Sequence, residues 1–233
     1  MKELIDSYWL YFLLGQYPHG PLGGLALTLL LAGSAMLLAA PLGLLVGVAR
    51  ISPWAALRVP VTALVWVVRG TPLLMVVFWA YFFLPVLTGH KSSQLATMLA
   101  ALVLFDAAYL AEIVRAGLQG LPRGQLQAAR ALGLTWLQAL RLVLLPQALR
   151  QMLPSLVNQF VTTIKHTSLG TIIGLSELSF VANQINIQVL VKPVEVYASL
   201  AASYFLLCFG LSRLAGLLER RPGLRATAPA PTS

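Results

Sequence analysis

Cysteine is almost absent from this chain: Cys208 stands alone, inside an apolar stretch. That excludes an intrachain disulfide and a cysteine metal site, and it leaves the redox compartment open. Charge is scarce as well. Only 10% of the 233 residues are charged and 58% are hydrophobic, with a mean hydropathy of +0.82. Soluble domains carry about 25% charged residues, so this composition belongs to an integral membrane protein. Acidic residues are the rarest, 7 against 16 basic ones, for a net charge of +9. No basic run is interleaved with aromatics, and the arginines sit at the ends of apolar spans, which argues against a nucleic-acid partner. The chain also lacks a Gly-x-x-x-x-Gly-Lys-Ser/Thr phosphate loop, so ATP hydrolysis is not expected of it. No His/Asp/Glu cluster has metal-ligand spacing and no serine or cysteine lies beside a base. Catalytic residues, metal and cofactor are therefore all expected to be absent.

What is present is a series of apolar segments. Residues 1–20 carry Leu4, Ile5, Tyr8, Trp9 and Phe12 on one helical stripe and lack a signal-peptide pattern, which predicts an N-terminal interfacial helix. A transmembrane domain follows over residues 21–221. Its first span, residues 21–48, is about 42 Å long as a helix, ample for a hydrocarbon core of ~30 Å. The second, residues 60–85, is interrupted by Arg69-Gly70-Thr71-Pro72, and a loop with His90 and Lys91 follows. The third, residues 95–118, holds Asp106 and Glu112, and residues 146–165 form the fourth. An apolar piece over 169–178 is too short to cross and reads as re-entrant or surface-lying. Residues 183–194 read as a polar loop, 195–218 as the fifth span, and 222–233 as a disordered, low-complexity tail. The expected fold is an all-α membrane protein with five transmembrane helices. The arginine excess on one side, from Arg50 and Arg58 through Arg150 to Arg225, puts the C-terminus in the cytoplasm and the N-terminus outside.

Residues 121–150 are too rich in arginine to span. Pro122 and Gly124 open a first short helix, Ala128, Ala129 and Ala131 carry it, and Gly133 ends it in the left-handed region. Thr135 and Gln138 fit a capping box for a second amphipathic helix, with Pro146 closing it or beginning the next. The result is a compact cytoplasmic knob with a small-residue face that suits docking.

This stretch resembles the EAA loop of binding-protein-dependent ABC importer permeases, with Gln127-Ala128-Ala129, Gly133 and Leu145-Pro146 in the family's order. RGTPLL at residues 69–74, AYLAEIVRAG at 108–117, LPQALR at 145–150 and KHTSL at 165–169 resemble its polar amino-acid branch. The family's glutamate is Gln127 here, which removes a charge suited to a helix N-terminus. The resemblance implies a type I importer permease fold with a coupling loop at residues 121–146. It also implies docking of an ATP-binding subunit dimer on Gln127, Ala128, Ala129, Gly133 and Leu134. Further partners would be a second permease subunit and an extracytoplasmic solute-binding protein, with a polar amino acid as substrate.

Arg69, about ten residues into its helix, lies near the bilayer midplane on this reading. It either pairs with Asp106 or, together with Gly70 and Thr71, meets substrate beside a broken helix. Glu112 and Arg115 form an intrahelical pair or a gate. Lys165, His166, Thr167 and Ser168 either end the fourth span, as a snorkelling lysine with hydroxyls capping the next helix, or line the cavity as the resemblance implies. His166 stands where aspartate is common in that motif. Glu177 caps, pairs or lines an outer vestibule. Arg69, Lys165 and His166 together tilt the cavity towards a substrate bearing carboxylate. Two rival readings are a self-contained carrier or channel using Asp106 and Glu112, which has no use for the knob, and a membrane anchor, which has none for Arg69.

Overall fold

The computed structural model describes residues 2–89, 93–189 and 192–219. The tail at 222–233 and the loop residues His90 and Lys91 lie outside that range. The described residues are helical almost throughout. The helices are α1 (Lys2–Leu14), α2 (Gly24–Ala49), α3 (Ala55–Gly70), α4 (Leu73–Phe78) and α5 (Leu84–Thr88). They continue as α6 (Gln94–Gln119), α7 (Arg123–Ala131), α8 (Trp136–Ala139), α9 (Leu145–His166), α10 (Leu178–Val189) and α11 (Pro193–Glu219). π-helical turns over Trp79–Phe83 and Leu140–Leu144 join α4 to α5 and α8 to α9, and a 3₁₀ turn over Thr167–Ile173 follows α9.

The third sequence segment is the axis of the molecule. In the most apolar window of α6, 61% of residues are buried, against 28% for α2 and 6% for α11. Helices α2 and α6 lie against each other because one stripe of α2 is nearly flat. Ala35, Ala39, Gly43 and Gly47 recur every fourth residue and all are buried. A Cβ added at Gly43 would stand 2.5 Å from the Cβ of Leu110, and one at Gly47 2.6 Å from that of Val114. In an apolar solvent, close backbone approach over small residues supplies the packing that hydrophobic collapse cannot.

Two apolar clusters flank this seam. One joins Leu31 and Ala35 of α2, Val77 of α4 and Leu102 and Phe105 of α6 to Ile173 at the end of the 3₁₀ turn and Leu175 just beyond it. The other joins Val114 and Leu118 to Leu140, Leu144 and Met152, so it roots the knob on α6 and α9. Helix α1 lies on α10 and α11 through Tyr8, Tyr11 and Phe12, whereas Trp9 faces outward. The single stripe expected for it is therefore divided between protein and surroundings, and the side chains of Leu4 and Ile5 lie outside the described residues.

Among the described residues three helices are long and apolar enough to cross a membrane: Gly24–Ala49, Gln94–Gln119 and Pro193–Leu214. A fourth exists if Ala55–Gly70 and Leu73–Thr88, bent by 97° at their junction, count as one. The bend falls at the expected interruption. Thr71 is extended, as a residue before proline prefers, and its hydroxyl donates to the Val67 carbonyl at 2.9 Å. Helix α9 has the 22 residues a span needs, but Arg150, Asn158, Gln159 and Lys165 make it too polar to pass on composition alone.

The polar loop expected over 183–194 is largely a helix. Residues Val181, Ala182 and Ile185 of α10 are buried, while Asn183, Ile187 and Gln188 are exposed. Asn183 and Gln188 lie on the helix's outer face, and Gln184 accepts from the Tyr11 hydroxyl of α1 at 2.7 Å.

Candidate functional site: a polar wall on α6 and a docking knob

Glu112 is the electrostatic centre of the molecule. Its Oε2 accepts Arg50 Nη1 at 2.5 Å and lies 3.2 Å from Arg69 Nη1, and its Oε1 is engaged by Arg115. The expected Glu112–Arg115 pair is therefore present, with two further arginines added to it. The expected Arg69–Asp106 pair is not formed. Asp106 is fully buried and accepts from Gln159 Nε2 at 2.8 Å and Thr163 Oγ1 at 2.9 Å. Six residues of α-helix turn Glu112 about 120° away from Asp106 around the axis of α6. Asp106 thus faces α9, and Glu112 faces the side from which α3 brings Arg69. Arg50, at the end of α2, shares the same oxygen, so the Arg69 head group reaches the level where α2 ends.

The guanidinium of Arg69 lies 5.0 Å over the ring of Tyr109, within cation–π range. Tyr109 packs at 4.9 Å between ring centres on Phe105, one turn earlier, and Phe105 meets the His166 imidazole edge-on at 5.6 Å. The two candidate clusters, residues 69–71 and 165–168, are in this way joined by one aromatic face of α6. Within them Gly70 and Lys165 are exposed, and the hydroxyl of Thr71 is spent on its own helix. The His166 Nδ1 is buried without a hydrogen-bond partner among the described residues. Thr167 and Ser168 donate back to the carbonyls of Ile164 and Lys165 at 2.7 and 2.6 Å. They close the end of α9 instead of capping the next helix.

The alternatives for Glu177 reduce to one. It is fully buried and accepts from the backbone N–H groups of Ser179 and Phe180, both at 2.9 Å, and from the Tyr204 hydroxyl at 3.1 Å. It caps α10 and ties it to α11. The sequence reading missed Arg50, Tyr109, Phe105, Gln159 and Thr163. A faint signal existed for the last two: they are polar residues four apart on one face of α9, flanked by Val161 and Ile164, as in a buried contact.

The knob follows from local chemistry. The Gly133 N–H bonds to the Arg130 carbonyl at 3.0 Å and the Leu134 N–H to the Ala129 carbonyl at 3.2 Å, with Gly133 at φ +82°. These are the two bonds of a Schellman ending. Thr135 Oγ1 accepts from the Gln138 N–H, and Gln138 Oε1 accepts from the Thr135 N–H at 2.8 Å, a complete capping box. The second helix does not stop there. It runs through the π turn into α9, so Pro146, which has no N–H and crowds the carbonyl four residues back, is accommodated by widening the helix.

Of the candidate docking residues, Gln127, Ala128 and Gly133 are exposed, Leu134 is half-buried and Ala129 is turned inward at 4% exposure. Leu132, which the motif reading passed over, is 83% exposed at the tip. Pro122, Gly124, Gln125, Ala128, Leu132 and Leu134 line an open hollow of about 530 Å³ on this face.

Comparison with known proteins identifies the family. Residues 39–223 match the family described as the binding-protein-dependent transport system inner membrane component. The chain is 36% identical over 222 residues to YhdY of Escherichia coli (strain K12), an inner membrane amino-acid ABC transporter permease protein, covering 92% of the chain. It spans 60% of YhdY's own length. It is 37% identical over 202 residues to GlnP of Bacillus subtilis (strain 168), a probable glutamine ABC transporter permease protein, covering 85% of the chain and 91% of GlnP. The crystal structure of an amino acid ABC transporter with histidines superposes with a TM-score of 0.79 at 34% identity, over 85% of this chain and 92% of that one. The chain belongs to the binding-protein-dependent transport system inner membrane component family: it is a multi-pass, non-catalytic permease subunit of an ABC importer of the inner membrane.

Proposed function

We propose that this permease serves an ATP-driven importer of polar amino acids, with acidic ones such as glutamate and aspartate preferred. The observation that carries the reading is the aromatic face of α6 that joins Arg69 to His166. It offers a substrate carboxylate the His166 imidazole with Lys165 beside it, and at its other end Arg69, one of three arginines that share the single carboxylate of Glu112, so that positive charge is in excess there. The similar YhdY is an amino-acid ABC transporter permease protein, and GlnP a probable glutamine ABC transporter permease protein.

In this reading the chain sits in a bacterial cytoplasmic membrane with five spans, α9 and the bent α3–α5 unit completing the apolar three. The N-terminus and its interfacial helix are outside and the C-terminus is cytoplasmic. A second permease subunit completes the path, an ATP-binding subunit dimer docks on the knobs of the two permeases, here around Gln127, Ala128, Gly133 and Leu134, and a solute-binding protein delivers the amino acid from outside. Ala129 acts from behind this face, through the carbonyl that holds Leu134.

The test is uptake of glutamate, glutamine and arginine by the assembled complex in proteoliposomes, wild type against His166→Asp. A like charge within contact distance costs ~1 kcal/mol even in water, so glutamate uptake is expected to weaken about fivefold or more, with glutamine less affected. An unchanged profile at normal expression removes His166 from the substrate path and the acidic preference with it.

A further inference from the structure

The three arginines on Glu112 belong to a larger cleft whose charges do not cancel. It measures about 580 Å³, opens between α3 and α6, and is lined by Arg50, Arg58, Arg69, Arg115, Glu112, Thr62 and Trp66 among others. Four guanidiniums face one carboxylate, which leaves three positive charges uncompensated. Arg58 forms no ion pair among the described residues, and it projects from the first turn of α3, beside the cleft. Arg50 is 5% exposed, yet among the described residues its Nε has no hydrogen-bond partner, and neither has the buried Nε of Arg69. Guanidiniums held in an apolar setting with bonding capacity unspent call for an anion.

The mouth of the cleft shows which kind. Val59 and Trp66, which line it on the α3 side, are 61% and 67% exposed. A charged recess thus opens sideways onto an apolar helix face. A ligand with a charged head and an apolar body fits both parts, and a small hydrophilic anion fits only the first. Trp54, 73% exposed just ahead of α3, suits the level at which head groups lie.

We propose that this cleft is a binding site for the phosphate of an anionic phospholipid, held by Arg58 with Arg69 and Arg115, its acyl chains running along the exposed face of α3. Trp66 lies at the junction of head and chains. The site shares Arg69 with the solute path proposed above, so the residue that tests it is Arg58, which lies outside that path. The orientation proposed above decides only that the lipid comes from the cytoplasmic leaflet.

The complex, purified with its ATP-binding subunits, is equilibrated with phosphatidylglycerol or phosphatidylcholine and its retained lipid counted by native mass spectrometry. Wild type is expected to retain phosphatidylglycerol in preference to phosphatidylcholine. Arg58→Gln is expected to retain about fivefold less, the worth of one basic residue near an anionic surface, and Arg58→Lys to restore most of the loss. Because Arg58 takes no part in the Glu112 cluster, each variant should co-purify normally. Titration with inorganic phosphate separates the two phosphate sources. Saturation by inorganic phosphate without preferential retention of phosphatidylglycerol would assign the cleft to a free anion and overturn the lipid. Equal retention of both lipids by wild type and Arg58→Gln, with no phosphate binding, would overturn the site.

Discussion

One carboxylate holding several guanidiniums makes an asymmetric lesion. Removing a single arginine leaves Glu112 with two others, whereas removing its charge leaves three like charges converging, one of them on a side chain only 3% exposed. Breaking a buried pair by deleting one partner costs about 3–5 kcal/mol. Glu112→Gln is therefore expected to destabilise by about 3 kcal/mol, read as a lowered melting temperature of the complex in detergent. Arg115→Gln, whose side chain is 31% exposed, should cost less than about 1 kcal/mol. If the arginine substitution proves the worse of the two, Glu112 is not the centre of the cluster. This centre was only half legible in the sequence. The Glu112–Arg115 spacing is a local rule of helices, but Arg50 and Arg69 arrive from other helices, and no spacing encodes which face of α6 each one meets.

Elements whose chemistry is local were legible in advance. Gly133, Thr135 and Gln138 specify the knob's bend and restart within a few residues, and the structure has both motifs. A Cβ at Gly133 would meet nothing within 4 Å, so a substitution there acts through φ alone. Gly133→Val should cost ~1 kcal/mol or more of local strain and lower ATPase co-purification and uptake while the protein remains in the membrane. Normal co-purification would show that the bend does not shape the dock. The α2–α6 seam is the opposite case, with no room at all. Gly47→Leu drives a side chain into Val114 and is expected to abolish assembly, whereas Gly33→Leu, where a Cβ meets nothing, should be tolerated. Comparable expression of the two would mean the helices are not in this contact. Helix α10 was missed because its polar residues outnumber its buried ones. Its burial comes from α1 and α11 arriving from the far ends of the chain.

At the scale of the whole molecule, the orientation rests on arginine placement and is tested directly. In a Cys208→Ala background, a cysteine at Gln138 on the knob should react only with reagent on the cytoplasmic side, and one at Gln16 only from outside. The reverse pattern would move the dock away from the ATP pool. The energy source has an equally direct test, because vesicles with the permease alone should take up no substrate until ATP-binding subunits and ATP are supplied. The continuity of α8 with α9 carries a mechanical consequence. From Trp136 to His166 the chain is one rod, pinned to α6 where Gln159 and Thr163 hold Asp106. The pin stands about 35 Å from the knob end and about 10 Å from His166. Because Leu140 and Leu144 also seat the knob end on Val114 and Leu118 of α6, the rod is held at both places, and a push on the knob is passed to α6 and to the level of His166 together, as the motion of one body.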